Sequence, residues 1–467
     1  MEIEKNGISS TKERGSRKPE TTEKCASGQK RCALVIGANE EAVFSIETAR
    51  KYGLRVAAMD GNPKAAGLTA ADEAYHLDIN DLTAVFAVCD RLEPLVVMPA
   101  PIGHCLTTVG AVNDRYHLAG VSESAAEICT DKYLFHRKME EQGLRDAQLV
   151  LLCGGKAVQE EDIAPLTGYP VVVKPRLGSG SRNVEICGNA QELLCFLKYE
   201  AAENGVLTED YVAETCIPGP EYGVDGAYVD GRFRMVLLRR KKNTSPPYRQ
   251  CVGYYSVLPG EEPAFYENCC RLMQEMGEAI GFENCVVHAD LIRRREESGE
   301  LTDIPFVIET SARPSGHNLS NLFTPLASGV TLVEDFLKLA LLSEPDAGFL
   351  QEHARLSSWT DGESDQEKVR EKLFVPQTVR KLLIRYFDLP EGMVRKVPDP
   401  ELLAGKYPLL DYSCRILPGE KLSLVRDGAS VMGRGYYILE GKDDKELDEL
   451  DAGIRSEFVM EQKEGSV

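Results

Sequence analysis

Two stretches decide how this sequence folds and what it can hold: VVHADLIR at residues 286–293 and FVIETSAR at residues 306–313. Both alternate between apolar and polar residues, the signature of half-buried β-strands. The polar stretch Glu296–Asp303 between them predicts an antiparallel pair. Side chains alternate across a strand, so Val286, His288, Asp290 and Ile292 share one face. Glu309, Ser311 and Arg313 share a face of the partner strand. If the two faces coincide, Asp290 and Glu309 become neighbours. Paired carboxylates repel unless a proton is shared or a cation sits between them. Hard oxygen donors without a nearby thiolate or paired imidazoles favour Mg²⁺ or Mn²⁺. Two solvated surface acids would show the same pattern.

Upstream, YPVVVKP at residues 169–175 reads as a β-branched strand ending in Lys174. The loop RLGSGSR follows at residues 176–182. Gly178, Ser179, Gly180 and Ser181 can turn several backbone N–H groups toward one anion, although such a loop can equally be a plain hairpin. No GxxxxGK[ST] occurs, so this is not a Walker loop. A phosphate-gripping loop and a metal-gripping acid pair together describe a Mg·ATP site. Farther upstream, CALVI at residues 32–36, a helix from about Glu40 to Tyr52, and strands at 55–59 and 95–98 alternate as in a parallel, doubly wound sheet. Gly37 and Asn39 are not followed by the further glycines a dinucleotide site needs, so Asp60 is weak evidence for a ribose contact.

The chain has 467 residues, which suggests about three domains. It carries 54 basic and 74 acidic residues, a formal charge of −20 that argues against a broad nucleic-acid surface. No apolar run approaches the ~18–20 residues that cross a bilayer. Residues 1–30 contain only five hydrophobic residues and read as a disordered tail rather than a leader. The 14 cysteines include no CxxC, and several, among them Cys89, Cys153 and Cys195, lie in apolar runs; buried thiols in a reducing cytoplasm are the expectation. The run from Arg239 to Tyr248 reads as a basic, proline-containing loop. From about residue 361 the chain mixes short strands with turns and ends in a helix near Asp443–Phe458.

In this order the motifs resemble the ATP-grasp superfamily, of the carboxylate–amine ligase type, with a domain arrangement like that of biotin carboxylase and carbamoyl phosphate synthase. The resemblance rests on Asp131-Lys132, the strand and loop at 169–182, Glu214 with Gly219-Pro220-Glu221, Asp290, and the segment from Ile308 to Pro314. It implies an N-terminal α/β domain at 31–128, an ATP-grasp α+β domain at 129–342 and a small C-terminal α/β lobe at 343–467. It implies that Lys132 and Lys174 contact ATP phosphates under a flap of Gly178, Ser179, Gly180 and Ser181. Glu214, Thr215 and Ile217 would form the hinge strand at the adenine, Glu221 would bind the ribose, and Ile292 would pack under the base. Asp290 and Glu309, with Ser311 beside them, would hold Mg²⁺ or Mn²⁺. Arg313 would stabilise the charge developing on the transferred phosphoryl group or the acyl phosphate, unless it simply pairs with Glu309. In this family the first metal ligand is more often Glu and the position of Ser311 is usually Asn.

The implied reaction is ATP-dependent activation of a small carboxylate as an acyl phosphate, followed by attack of an amine. Amino acids are natural candidates for both substrates. Phosphorylation of bicarbonate is the alternative chemistry, and a catalytically silent ATP-binding protein the alternative class. Arg249 is a candidate for binding the substrate carboxylate, and His104, in the loop after an N-terminal strand, for contacting the acceptor. A homodimer is the default assembly.

Overall fold

The computed structural model describes residues 31–178, 180, 183–201, 205–244, 250–343, 366–425 and 428–461. The tail at 1–30 and the residues Ser179, Ser181 and Arg249 lie outside them. Strands β1 (Cys32–Ile36), β2 (Arg55–Asp60), β3 (Glu73–His76) and β4 (Pro94–Val97) form a parallel sheet in the order β3-β2-β1-β4. Alternate residues of β1 enter two different cores, Leu34 and Ile36 on one side and Ala33 and Val35 on the other. Burial on both faces is why this strand reads as a continuous apolar run. Asp60 is spent inside this domain, its carboxylate accepting from Ala38 N at 2.6 Å.

A second, antiparallel sheet contains β5 (Leu149–Leu152), β6 (Val171–Pro175), β7 (Glu185–Cys187) and β8 (Tyr211–Thr215), ordered β5-β8-β6-β7. The largest sheet is antiparallel throughout. It uses β9 (Glu221–Val229), β10 (Arg232–Asn243), β11 (Cys251–Val257), β12 (Cys285–Arg295), β13 (Leu301–Ser311) and β14 (Leu382–Tyr386). Beyond β15 (Gly392–Lys396), the segments β16 (Leu409–Cys414) and β18 (Gly435–Glu440) join it, with β17 (Lys421–Leu422) between them in sequence. The order is β13-β12-β9-β10-β11-β14-β18-β16, so the C-terminal segment continues the sheet that carries the acid pair. β15, β17 and β19 (Val459–Glu461) form a small separate sheet. Among the described residues no helix is long and apolar enough to cross a membrane.

Two expectations need correction. Residues 239–243 belong to β10 and are not a loop. Their charges alternate between the two faces of a strand, and each face finds acids in the folded chain. Cys153 and Cys195 are exposed, Cys195 on the outer side of the helix Ala190–Glu200. An apolar neighbourhood in sequence did not mean burial there. Cys89 is buried as expected, and the cysteines among the described residues are all free thiols.

One face of the large sheet is sealed by the helix Pro263–Ile280. Phe265, Cys269, Leu272, Met273, Met276 and Ile280 form its apolar stripe and pack with Val287, Ala289, Leu291 and Val307. This leaves His288, Asp290 and Glu309 on the opposite face. Gly277 sets how closely helix and sheet approach, because a Cβ there would lie 2.0 Å from Tyr228 Cε1. Gly277→Ala should therefore destabilise the fold by about 1–3 kcal/mol through overpacking. Helix propensity alone favours Ala by about 1 kcal/mol. Urea unfolding decides between the signs, and a more stable variant would contradict this packing.

Candidate active site

The acid pair is a matter of register. Asp290 lies directly opposite Glu309, and His288 opposite Ser311. Facing residues of an antiparallel pair project to the same side of the sheet, so Asp290, Glu309 and Ser311 share the cleft face. Among the described residues no cluster of three or more His, Cys, Asp or Glu side chains could hold a metal by itself. Two carboxylates and a hydroxyl instead suit Mg²⁺, which commonly binds one or two carboxylates and completes its shell with waters and substrate phosphates.

A cation that sequence reasoning did not place here is already beside the pair. Lys241 Nζ is 2.6 Å from Asp290 Oδ2 and 3.7 Å from Glu221 Oε2. Strand alternation within RRKK was the available signal, since it puts Arg239 and Lys241 on one face and Arg240 and Lys242 on the other. Arg239 is buried against Asp225 at 2.7 Å, and Asp225 also accepts from Ser315 and Thr324. Burial alone would lower the Lys241 ammonium, but Asp290 and then Glu221 outweigh it and hold the pKa above the usual lysine value.

On the side of the glycine loop, Asp131 caps the helix Lys132–Glu141 by accepting from Tyr133 N and Leu134 N. Arg176 ties this cap to the glycine loop with an ion pair of 2.7 Å to Asp131. Lys132 Nζ then donates to Gly178 O at 2.8 Å. Gly178 and Gly180 have φ of +145° and +72°, conformations that suit glycine. One cavity is lined by His104, Lys132, Gly178, Glu309, Ser311 and Arg313, together with His288. Six sequence candidates from four separate segments therefore converge. Burial lowers the Lys132 pKa, with Glu309 opposing.

Lys174 points at Glu214, with Nζ 2.5 Å from Oε1. Arg145 pairs with the same carboxylate. Burial would raise the Glu214 carboxyl, but Lys174 and its neighbours prevail and hold it below the usual range. His136 lies beside this cluster and bonds through Nε2 to Ile308 O at 3.0 Å. Thr215 Oγ1 accepts from Gln148 N at 3.2 Å as the strand leads toward Ile217. Ile292 pairs across the sheet with Glu221, which accepts from Asn243 Nδ2 at 3.1 Å. Gly219 comes so close to Ile292 and Arg293 that a Cβ would lie 2.0 Å from Arg293 O. Gly219, Glu221 and Ile292 thus meet where the chain passes from β8 into β9.

Arg313 lies just past the end of β13 rather than within it. Its Nη1 donates to Pro314 O at 2.9 Å, and among the described residues it makes no ion pair, with Glu309 or any other acid. Its buried Nε has no partner there, nor has His288 Nε2. His104 contacts Thr130 Oγ1 through Nδ1 at 3.2 Å. Glu41, His317 and Asn318 were also not anticipated. Glu41 Oε1 accepts from Asn318 N at 2.9 Å, joining the first domain to the loop after β13. His317 and Asn318 take left-handed φ of 63° and 58°, a strained turn for two non-glycine residues.

Comparison with known proteins places an ATP-grasp domain at residues 167–317. An L-arginine-specific L-amino acid ligase of Bacillus subtilis is 24% identical over 59% of this chain and 66% of its own length. A formate-dependent phosphoribosylglycinamide formyltransferase of Nitratiruptor is 21% identical over 47% of this chain and 53% of its own length. The chain thus spans only about half to two thirds of such relatives. An L-amino acid ligase structure from Bacillus licheniformis superposes with a TM-score of 0.68 at 17% identity, covering 93% of this chain and all of that one. The biotin carboxylase domain of a Hydrogenobacter thermophilus 2-oxoglutarate carboxylase, solved with MgADP and bicarbonate, gives 0.59 at 16% identity, covering 93% and 91%.

The buried cluster makes stability depend on pH. Burial holds the His136 pKa at about 4, against an ordinary 6.5. The unfolded chain therefore binds the proton more readily, so stability is full above pH ~6.5 and falls as pH drops toward 4. The shift corresponds to about 3 kcal/mol. His136→Gln should flatten this part of the stability–pH curve in urea unfolding. His288 and His317, also lowered by burial, leave a residual slope. An unchanged slope would contradict this account of the cluster.

Proposed function

We propose that this chain, which carries an ATP-grasp domain within an ATP-grasp fold, is an ATP-dependent carboxylate–amine ligase acting on small acids and amines, amino acids among them. The observation that carries the reading is the cross-strand Asp290–Glu309 pair, whose Glu309 lines a cavity shared with Lys132, Gly178 and Arg313. The relatedness to L-amino acid ligases supports the choice of substrates.

In this reading a carboxylate oxygen attacks the γ-phosphorus of ATP, the β–γ bridge bond breaks, and ADP leaves. The amine then attacks the acyl carbon, loses a proton, and phosphate departs with the C–O bonding pair. Little covalent help is needed from the protein; positioning and charge neutralisation do most of the work. Mg²⁺ held by Asp290, Glu309 and Ser311 would supply neutralisation of phosphate charge. Lys132 and the loop at 178–181 hold the phosphates, and Lys174 does so from its seat on Glu214. Glu221 and Ile292 take the ribose and base, while Thr215 and Ile217 present the hinge backbone to the adenine. Arg313, with no acid of its own among the described residues, takes the anionic oxygens of the reacting carboxyl. Arg249 binds the acid substrate and His104 faces the acceptor. We expect a homodimer in solution.

Phosphate release with Mg·ATP and a pool of amino acids tests the reading. The wild type should turn over, and Glu309→Gln should lose about 10²–10³ in kcat, the scale of removing one preorganised electrostatic contact. Equal ADP release with bicarbonate alone would instead favour the carboxylase chemistry. ATP binding without turnover on any acid would leave a nucleotide-binding protein. Reversing the charge at Arg249 should raise KM for the acid and leave ATP binding intact; an unchanged KM removes Arg249 from the site.

A further inference from the structure

Lys241 stands where an incoming metal has to bind. Its Nζ touches Asp290 Oδ2 at 2.6 Å and faces Glu221, and its side chain is only 8% exposed. It is held there from behind. Arg240 pairs with Asp444, and Lys242 pairs with Asp448 and with Asp451 at 3.1 Å, all on the helix Asp444–Ser456. These pairs pin residues 240 and 242 to the outer face of β10, and strand alternation sends residue 241 into the cleft. A one-residue slip would break every pair at once.

The consequence concerns competition. An ammonium in contact with Asp290 and a divalent ion bound to the same carboxylate would bring two positive charges together in a partly buried site, where repulsion is weakly screened. A free metal ion must therefore displace Lys241 and offers nothing to compensate it. A metal arriving with a nucleotide brings several phosphate negative charges. The four-carbon stem of lysine can swing its charge from carboxylate to phosphate without moving the strand.

We propose that Lys241 is a resident cation that keeps free divalent metal off Asp290, so that the metal binds only together with the nucleotide. This rests on the reading of Asp290 and Glu309 as metal ligands.

Mn²⁺ binding to the nucleotide-free protein, followed by electron paramagnetic resonance, tests it without reference to turnover. Wild type should bind free Mn²⁺ at least tenfold more weakly than it binds Mn²⁺ in the presence of ADP. Lys241→Met should tighten binding of free Mn²⁺ about tenfold or more. Lys241→Arg should stay weak, and adding Asp290→Asn to Lys241→Met should abolish the gain. If Lys241→Met binds free Mn²⁺ no better than wild type, while Asp290→Asn still weakens Mn²⁺ binding with ADP, the competition is wrong although the metal site stands. If Asp290→Asn leaves Mn²⁺ binding with ADP unchanged, the metal reading itself fails. Should Lys241→Met not fold, the wild-type comparison decides alone: equal affinities with and without ADP overturn the proposal.

Discussion

The register between β12 and β13 is the constraint on which the rest depends. Asp290 opposite Glu309 exists only in this register. A slip of one residue would carry Asp290 into the face packed on the helix Pro263–Ile280, where burial of an unpaired carboxylate is prohibitive. Several features resist such a slip. Val287, Ala289 and Leu291 fill the opposite side. Thr310 Oγ1 donates to His288 O at 3.0 Å across the pair. Near the turn, Arg293 donates through Nε to Thr302 O at 2.7 Å and pairs with Asp303 at 2.6 Å. β12 is also held on its other edge by β9, in which Gly223 faces Asp290 and Glu221 faces Ile292. The position of the acid pair and that of the base-stacking candidates are therefore set by one continuous ladder.

The polar groups of the cleft are balanced before any ligand arrives. Lys174 rests on Glu214, Lys241 on Asp290, and Lys132 on a backbone carbonyl. Each contact reduces the cost of burying a charge, and each would have to be exchanged for an anionic ligand to take its place. The exceptions are informative. Arg313 Nε and His288 Nε2 are buried without partners among the described residues. An orphaned buried donor costs on the order of 1–3 kcal/mol. Both side chains line the cavity that also holds Glu309. An anion that accepted from the Arg313 guanidinium would recover part of that cost, so this end of the cavity suits an anionic group.

The sequence was readable where the determining interactions are local. Period-two alternation in residues 286–293 and 306–313 gave the strands, their pairing and the shared face, because side-chain direction follows from neighbouring residues alone. The same holds for the glycine loop after Lys174. Residues 239–242 were misread because their polarity shows no alternation. Every residue is basic, and the difference between the faces lies in partners such as Asp225, Asp290, Asp444 and Asp448, up to about 200 positions away. Glu41 and Asn318 were missed for the same reason: nothing near either residue in sequence indicates that they meet. Arg313 was given the right neighbourhood but placed on the strand, although the strand ends at Ser311.

The role of the C-terminal segment follows from this long-range pairing. It contributes β14, β18 and β16 to the large sheet, and its last long helix contributes acids to the outer face of β10. Asp451 is buried between Lys242 and Arg385, and Tyr437 donates to it as well. Arg385 is itself buried and donates to Val252 O at 2.5 Å, so the cluster also fixes β11. Without these acids Arg240 and Lys242 would stand on one face together with Arg385, a third cation, and the hydroxyl of Tyr255. By neutralising Arg240 and Lys242 from behind, the helix leaves Lys241 as the charge of this run nearest the acid pair, because Arg239 is buried against Asp225. A segment that supplies no candidate for chemistry thereby determines the charge of the surface on which the chemistry would occur.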